Sequence, residues 1–276
     1  MTVELPDLTG IRLVASDLDS TLLTSQKTIS ERTRAAIRAA HEAGIIVLTA
    51  TGRQLATMPD PVFETEISYA VASNGAVGYD YVRQEVLFIE EIGPAAQQAV
   101  VAYLADHAPG TVYAAGRGTG DVFLVEPGFQ ALMTERERLY DRRKLVPTPL
   151  PKIVSEPTIK LCARHPEITP DELLDILDAG RLPGCHPATS GAPFVEISRA
   201  DVNKAAGLAR ICGPLQIGPE QVVAVGDAKN DVEMLRWAGV GVAVANAVPE
   251  ALAAAGFTTA SNDDDGLALV IEALVG

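Results

Sequence analysis

Two aspartates and a hydroxyl stand together at Asp17-Leu18-Asp19-Ser20-Thr21, directly after a short apolar run at residues 11–16 (IRLVAS). An aspartate carboxylate can attack phosphorus to form an acyl phosphate, which splits one hard displacement into two easier ones. If the chain stays extended beyond the run, residues i and i+2 face the same side. Asp17 is then the attacking group, and Asp19 the acid that protonates a leaving alcohol and later takes a proton from the attacking water. The competing reading is an acidic turn in which Ser20 and Thr21 serve as local caps.

A second acidic element, Gly226-Asp227-Ala228-Lys229-Asn230-Asp231, also follows an apolar run. Mg²⁺ takes hard oxygen ligands and keeps several waters, so a few carboxylates together with a substrate phosphate suffice to bind it. Asp17 and Asp227, at the tips of strands that can lie side by side, are the expected ligands, with Asp231 in support. The bland alternative is a pair of helix N-terminal acids facing the macrodipole. Thr51-Gly52-Arg53 offers a hydroxyl, a close backbone approach and a guanidinium, the parts of a phosphate seat. Lys204 follows Asp201 and Asn203 at a helix start, where an ammonium adds to an anion-favouring backbone. Asn74-Gly75 reads equally as a hairpin turn or as a substrate-facing element.

The elements that must position these groups follow from periodicity. The apolar runs at residues 11–16, 45–48 and 221–225 are short and bounded by turn signals, as buried strands are. A helical pattern begins after Ser30, a suitable N-cap, and stops at Gly44. Strands at 221–225 and 241–244 alternate with helices at 231–238 and 249–255, and a last helix spans 266–275. This alternation predicts βαβ units and a parallel sheet. Residues 85–193 differ: Pro and Gly breaks separate candidate strands TVYAA, DVFLV and TIKLCAR, which predicts an inserted domain. The expected division is a discontinuous core, 1–84 and 194–276, around an insertion at 85–193. Within the insertion, Gly116-x-Gly118-x-Gly120 reads as a hairpin tip, Lys160 as an exposed lysine, and the run 135–144 (ERERLYDRRK) as a solvated helix face.

Bulk properties exclude some functions. The formal charge of -14 argues against non-specific binding to nucleic acid or an anionic membrane. The three cysteines, Cys162, Cys185 and Cys212, suit neither a disulfide framework nor a zinc site, which predicts a reducing, cytoplasmic location. The opening MTVELPDLTGIRLVASD has no basic region or sustained apolar stretch, so no signal peptide is expected, and no run reaches the roughly 20 apolar residues of a membrane span.

Taken together, these residues resemble the haloacid dehalogenase (HAD) superfamily, through Asp17-x-Asp19-x-Thr21, Thr51, Lys204 and Gly226-Asp227-x-x-Asn230-Asp231 in that order. Similarity to the Cof-like sugar-phosphatase branch comes from Thr51-Gly52-Arg53, Ser73-Asn74-Gly75-Ala76, Asn246-Ala247 and Asp265-Gly266. The resemblance implies a doubly wound parallel core with an inserted α+β cap. It also implies that Asp17 is the nucleophile and a Mg²⁺ ligand, and that Asp19 is the acid/base whose main-chain carbonyl ligates the metal. Thr51 and Lys204 would hold the phosphoryl group, Asp227 and Asp231 the ion, and Asn230 would lie near the phosphate. Two positions depart from the pattern: Ser20 and Ala228 each stand where glycine is usual.

The function expected is hydrolysis of a small phosphate monoester, a sugar phosphate or related metabolite, because a cap can enclose a small ligand and exclude a macromolecule. A phosphomutase of the same architecture shares every core residue, and a non-catalytic metabolite-binding regulator would keep the fold without turnover. Oligomeric state is not legible at this level.

Overall fold

A computed structural model describes residues 5–135 and 144–276. The run at 136–143, expected as a helix face, lies outside the described residues. The chain divides into two compact units. One comprises the chain up to Gly52, Pro59–Leu87 and Asn203–Gly276; the other comprises Arg53–Met58 and Phe88–Val202.

The first strands are β1 (Leu13–Ser16), β2 (Ile46–Ala50), β3 (Tyr69–Ala72), β4 (Val77–Asp80) and β5 (Glu85–Ile89). The chain then builds a separate six-stranded sheet from β6 (Val112–Arg117), β7 (Val122–Val125), β8 (Lys144–Pro147), β9 (Lys160–Arg164), β10 (Cys185–Ala188) and β11 (Val195–Arg199). It returns through β12 (Val222–Gly226), β13 (Val240–Ala243) and β14 (Phe257–Thr258) to an eight-stranded sheet of order β14-β13-β12-β1-β2-β3-β4-β5.

The centre of that large sheet is parallel, with β1 paired to β2 and β12, β2 to β3, and β12 to β13. Leu13, Val14, Ala15 and Val222–Val225 are fully buried, as an apolar strand covered on both faces must be. The step from β1 to β2 moves toward one edge and that from β12 to β13 toward the other, so right-handed crossovers place their helices on opposite faces. Accordingly helix Glu31–Glu42 packs on helix Gly266–Val275, while helix Lys204–Leu215 packs on helix Val232–Trp237. Ser30 caps the first of these by accepting from the Thr33 N–H. The parallel sheet expected from the periodicity and the doubly wound core that the resemblance implies are present, extended by the antiparallel strand β4.

The smaller sheet has the order β10-β11-β9-β6-β7-β8 and is antiparallel except at β7–β8. Its helices Pro94–His107 and Pro170–Gly180 pack with Tyr113, Leu161, Val195 and Ile197 in one apolar cluster. Gly118 and Gly120 lie in the β6–β7 hairpin tip read from the sequence, while Gly116 falls inside β6 opposite Phe123. Two expectations are corrected here. The break at residues 190–193 marks the connection between β10 and β11, not a linker, so β11 belongs to the smaller sheet by its pairing with β9 and β10 and the unit runs to Val202. Lys160, expected to be exposed, is buried because it forms an ion pair with Glu196, itself buried.

Candidate active site

The carboxyl ends of β1, β2, β3 and β12 lie in a row, and each delivers one of the polar groups singled out above. Asp17 follows β1 and is 5% exposed; its N–H donates to the Val225 carbonyl at 2.8 Å, which ties it to the neighbouring strand. Asp227 follows β12. Its Oδ1 accepts from the Thr21 hydroxyl at 2.8 Å, so the hydroxyl at the end of the first motif orients an acid of the last.

Asp231, at the foot of helix Val232–Trp237, is fully buried. Its Oδ2 accepts from the N–H groups of Asp227 at 3.0 Å and Ala228 at 2.9 Å, closing the turn. Gly226 is required for this closure, since an added Cβ would lie 2.6 Å from the Asp231 Cγ. Ala228, where glycine is usual, has φ of -110° and ψ of 171°, an extended backbone that any side chain tolerates. Ser20 is different: its φ of 61° is the left-handed conformation that glycine adopts freely and serine adopts at a cost.

Lys204 joins the two acids. Its Nζ donates to Asp17 Oδ1 and to Asp231 Oδ1, both at 2.6 Å, in a site where the lysine is 1% exposed. It is the first residue of its helix, whose N-cap Asn203 accepts from the Ala206 N–H at 2.8 Å. Ser73, Asn74 and Gly75 all have positive φ, and a Cβ at Gly75 would fall 2.1 Å from the Asn203 carbonyl oxygen. Glycine there lets the β3–β4 tip touch the cap that seats the lysine.

The same tip carries Asn74, buried, whose Oδ1 accepts from Asn230 Nδ2 at 2.9 Å and whose N–H donates to the Thr51 carbonyl at 3.0 Å. Asn74-Gly75 is thus the tip of the β3–β4 hairpin, with the Asn74 side chain turned to Asn230. Asn230 Oδ1 is buried with no hydrogen-bond partner.

Three carboxylates, those of Asp17, Asp227 and Asp231, each offer an oxygen within 4.8 Å of the others. One ammonium does not balance them. Burial, reinforced by the neighbouring carboxylates, holds Asp17 well above the usual carboxylate range, against the pull of Lys204. Asp227 is pushed up to about 6, first by burial and then by Asp231. For Lys204, burial acts downward but the carboxylates of Asp17 and Asp231 outweigh it and hold the ammonium above its ordinary value. A cluster of hard oxygen donors with a deficit of positive charge fits Mg²⁺ by donor type and by spacing.

Asp19 stands outside the three-carboxylate cluster, with its Oδ1 accepting from Lys27 at 2.8 Å. Arg53 groups with the other unit, where its Nη1 donates to the Thr57 carbonyl at 3.1 Å. Gly52 ends a stretch of the core unit and Thr51 is buried at the tip of β2. Two bracing residues carry no chemistry of their own. Asn246 Nδ2 donates to the Ser20 carbonyl at 2.8 Å, and Asn262 Nδ2 to the Leu23 carbonyl at 2.9 Å. Only the Asn246-Ala247 resemblance hinted at the first, and no pattern pointed to the second.

The fold and this constellation place the chain. It belongs to the haloacid dehalogenase-like hydrolase family, whose model matches residues 14–271. It is similar to the 5-amino-6-(5-phospho-D-ribitylamino)uracil phosphatase YcsE of Bacillus subtilis, at 28% identity over 98% of this chain and 98% of the relative. It is also similar to the HMP-PP phosphatase of Cronobacter sakazakii, at 28% identity over 88% of this chain and 87% of the relative. In fold it matches the solved structure of a haloacid dehalogenase-like hydrolase from Bacillus subtilis with a TM-score of 0.80, at 22% identity over 96% of this chain and 100% of that one. Among the described residues no helix is long and apolar enough to cross a membrane.

Proposed function

We propose that the protein is a Mg²⁺-dependent phosphatase of a small phosphate monoester, working through an aspartyl phosphate on Asp17. The observation that carries this reading is the position of Asp17: a buried carboxylate at a strand tip, touching Lys204 and clustered with two further acids. The relatives YcsE and the HMP-PP phosphatase bear names of enzymes that act on small phosphorylated metabolites, which supports the same substrate class here.

The carboxylates of Asp17, Asp227 and Asp231 and the Asp19 main-chain carbonyl would hold the ion. Mg²⁺, when bound, would supply the positive charge that lets an anionic phosphate approach anionic carboxylates. Lys204 and Thr51 orient the phosphoryl group, with Asn230 offering an amide at its edge. One Asp17 oxygen attacks phosphorus while the bond from phosphorus to the ester oxygen breaks, and Asp19 gives its proton to the departing alkoxide. Asp19, now a carboxylate, takes a proton from water as that water attacks the acyl phosphate. The bond from phosphorus to Asp17 then breaks, inorganic phosphate leaves, and both acids return to their starting states.

The test is release of inorganic phosphate from a panel of sugar, polyol and nucleotide-precursor monoesters, with Mg²⁺ or with EDTA, alongside Asp17→Asn. Turnover that EDTA stops and Asp17→Asn abolishes is expected. Turnover indifferent to EDTA, or an Asp17→Asn protein as active as the wild type, would overturn the mechanism. Movement of phosphate to a second hydroxyl without release would assign a mutase instead.

A further inference from the structure

The turn that carries Asp19 is held by groups far along the chain. Two main-chain bonds close its ends: the Leu22 N–H donates to the Asp17 carbonyl at 3.3 Å and the Leu23 N–H to the Leu18 carbonyl at 2.8 Å, with Leu18, Leu22 and Leu23 buried. Neither bond reaches Ser20, whose φ of 61° persists in a serine only where the surroundings enforce it. Asp19 is the residue before it, so a rotation at Ser20 between closed ends swings the Asp19 carboxyl.

Asn246 supplies the enforcement. Its Nδ2 donates to the Ser20 carbonyl at 2.8 Å, and its Oδ1 accepts from the Asn262 N–H at 2.9 Å. With a carbonyl on one side and an N–H on the other, the amide has a single satisfied orientation. Asn262 reaches the same loop, its Nδ2 donating to the Leu23 carbonyl at 2.9 Å, and Asp263 Oδ1 accepts from the Ser25 N–H at 2.8 Å. Two loops near the end of the chain thus clamp residues 20–25. Asn246 is itself exposed and lies outside both the apolar core and the carboxylate cluster. A hydrogen bond made by an exposed amide adds little to folding, so its consequence is local to the turn.

We propose that Asn246 is a positioning residue for general acid catalysis: it fixes the Ser20 peptide so that Asp19 meets the ester oxygen that leaves. The inference rests on the acid role given to Asp19 above, and it has a chemical signature. A sugar alkoxide departs only with a proton, whereas p-nitrophenolate is a stable anion and departs without one. Misplacing the acid therefore slows the first ester more than the second, while damage to the carboxylates or the fold slows both alike. kcat/KM reads this step, because it covers events up to departure of the leaving group and omits the later attack of water.

The test compares kcat/KM at saturating Mg²⁺ for the fastest sugar phosphate of the panel and for p-nitrophenyl phosphate. Wild-type turnover that EDTA stops checks the parent reading separately. Asn246→Asp keeps the size of the side chain and the acceptor for Asn262 but sets a carboxylate oxygen against the Ser20 carbonyl. The ratio of sugar to aryl kcat/KM should fall on the order of tenfold, with an unchanged circular dichroism spectrum. Asn246→Ala, which removes both bonds, should lower the ratio at least as far. Asp19→Asn should lower it further, and adding Asn246→Asp to that variant should lower it no more. A wild-type ratio in the Asn246 variants, whether or not both rates drop, overturns the proposal, as does a double variant whose ratio falls below that of Asp19→Asn.

Discussion

Each of the two units buries a lysine against an acid, and the two do so differently. In the smaller unit Lys160 meets Glu196, one cation and one anion whose charges cancel. In the core Lys204 sits between Asp17 and Asp231, with Asp227 within reach of both acids, so three acids share one cation. A buried pair with balanced charge is a feature of the fold, because removing either partner strands the other in a poor solvent. A buried cluster in which acids outnumber the ammonium can ionise fully only with something positive from outside. Perturbed acids at such a place mark chemistry more often than structure, and the raised values of Asp17 and Asp227 lie in the core.

Lys204→Met is the most direct way to break this contrast. It deepens the charge deficit and removes the donor to Asp17, so phosphate release at saturating Mg²⁺ should fall by about 10³-fold. Retained turnover in that variant would show that the ammonium only fills space. The counterpart, Lys160→Met, leaves Glu196 buried without its ammonium and should cost about 3 kcal/mol in chemical denaturation. In Lys160→Met/Glu196→Leu most of that loss should return; if the double variant is no better than the single, the two residues are not acting as a pair.

A pH series sharpens the comparison further. The folded value of Asp227, about 6, lies above its ordinary 3.8, so folding favours the protonated acid. From this group the cation-free protein is therefore most stable below pH 3.8 and loses stability as pH rises through about 6, where the folded carboxyl ionises. Mg²⁺ binds the ionised form, and the rise in melting temperature it produces should be larger above pH 6 than below it, a difference that Asp227→Asn should shrink. Equal Mg²⁺ stabilisation at both ends of the series would remove Asp227 from the ion's ligands. The smallest effect is expected at Ser20→Gly, which relieves a left-handed serine but loosens the unfolded chain, for a net gain below about 1 kcal/mol by thermal melts.

How much of this was legible beforehand depended on range. Helix Glu31–Glu42, its Ser30 cap and the apolar strand β1 were readable because periodicity and capping act within a few residues. β11 was misplaced because a Pro/Gly break looks the same whether it joins two strands of one sheet or two domains. Lys160 was read as exposed because nothing adjacent in the chain predicts a partner 36 positions away.

The order of the motifs along the chain, the identity of each polar group and its place after a strand or before a helix were properties of the sequence alone. What only the tertiary structure decided was which of them meet. Pairing of β1 with β12 brings Asp17 to Asp227 and Asp231, while Asn246 and Asn262 brace the loop that carries Ser20 and Leu23. The physical reason is that periodicity reports a residue's own element, whereas the charge balance of a buried cluster depends on contacts across some 200 residues of chain, which only the packed sheet brings within a few ångström.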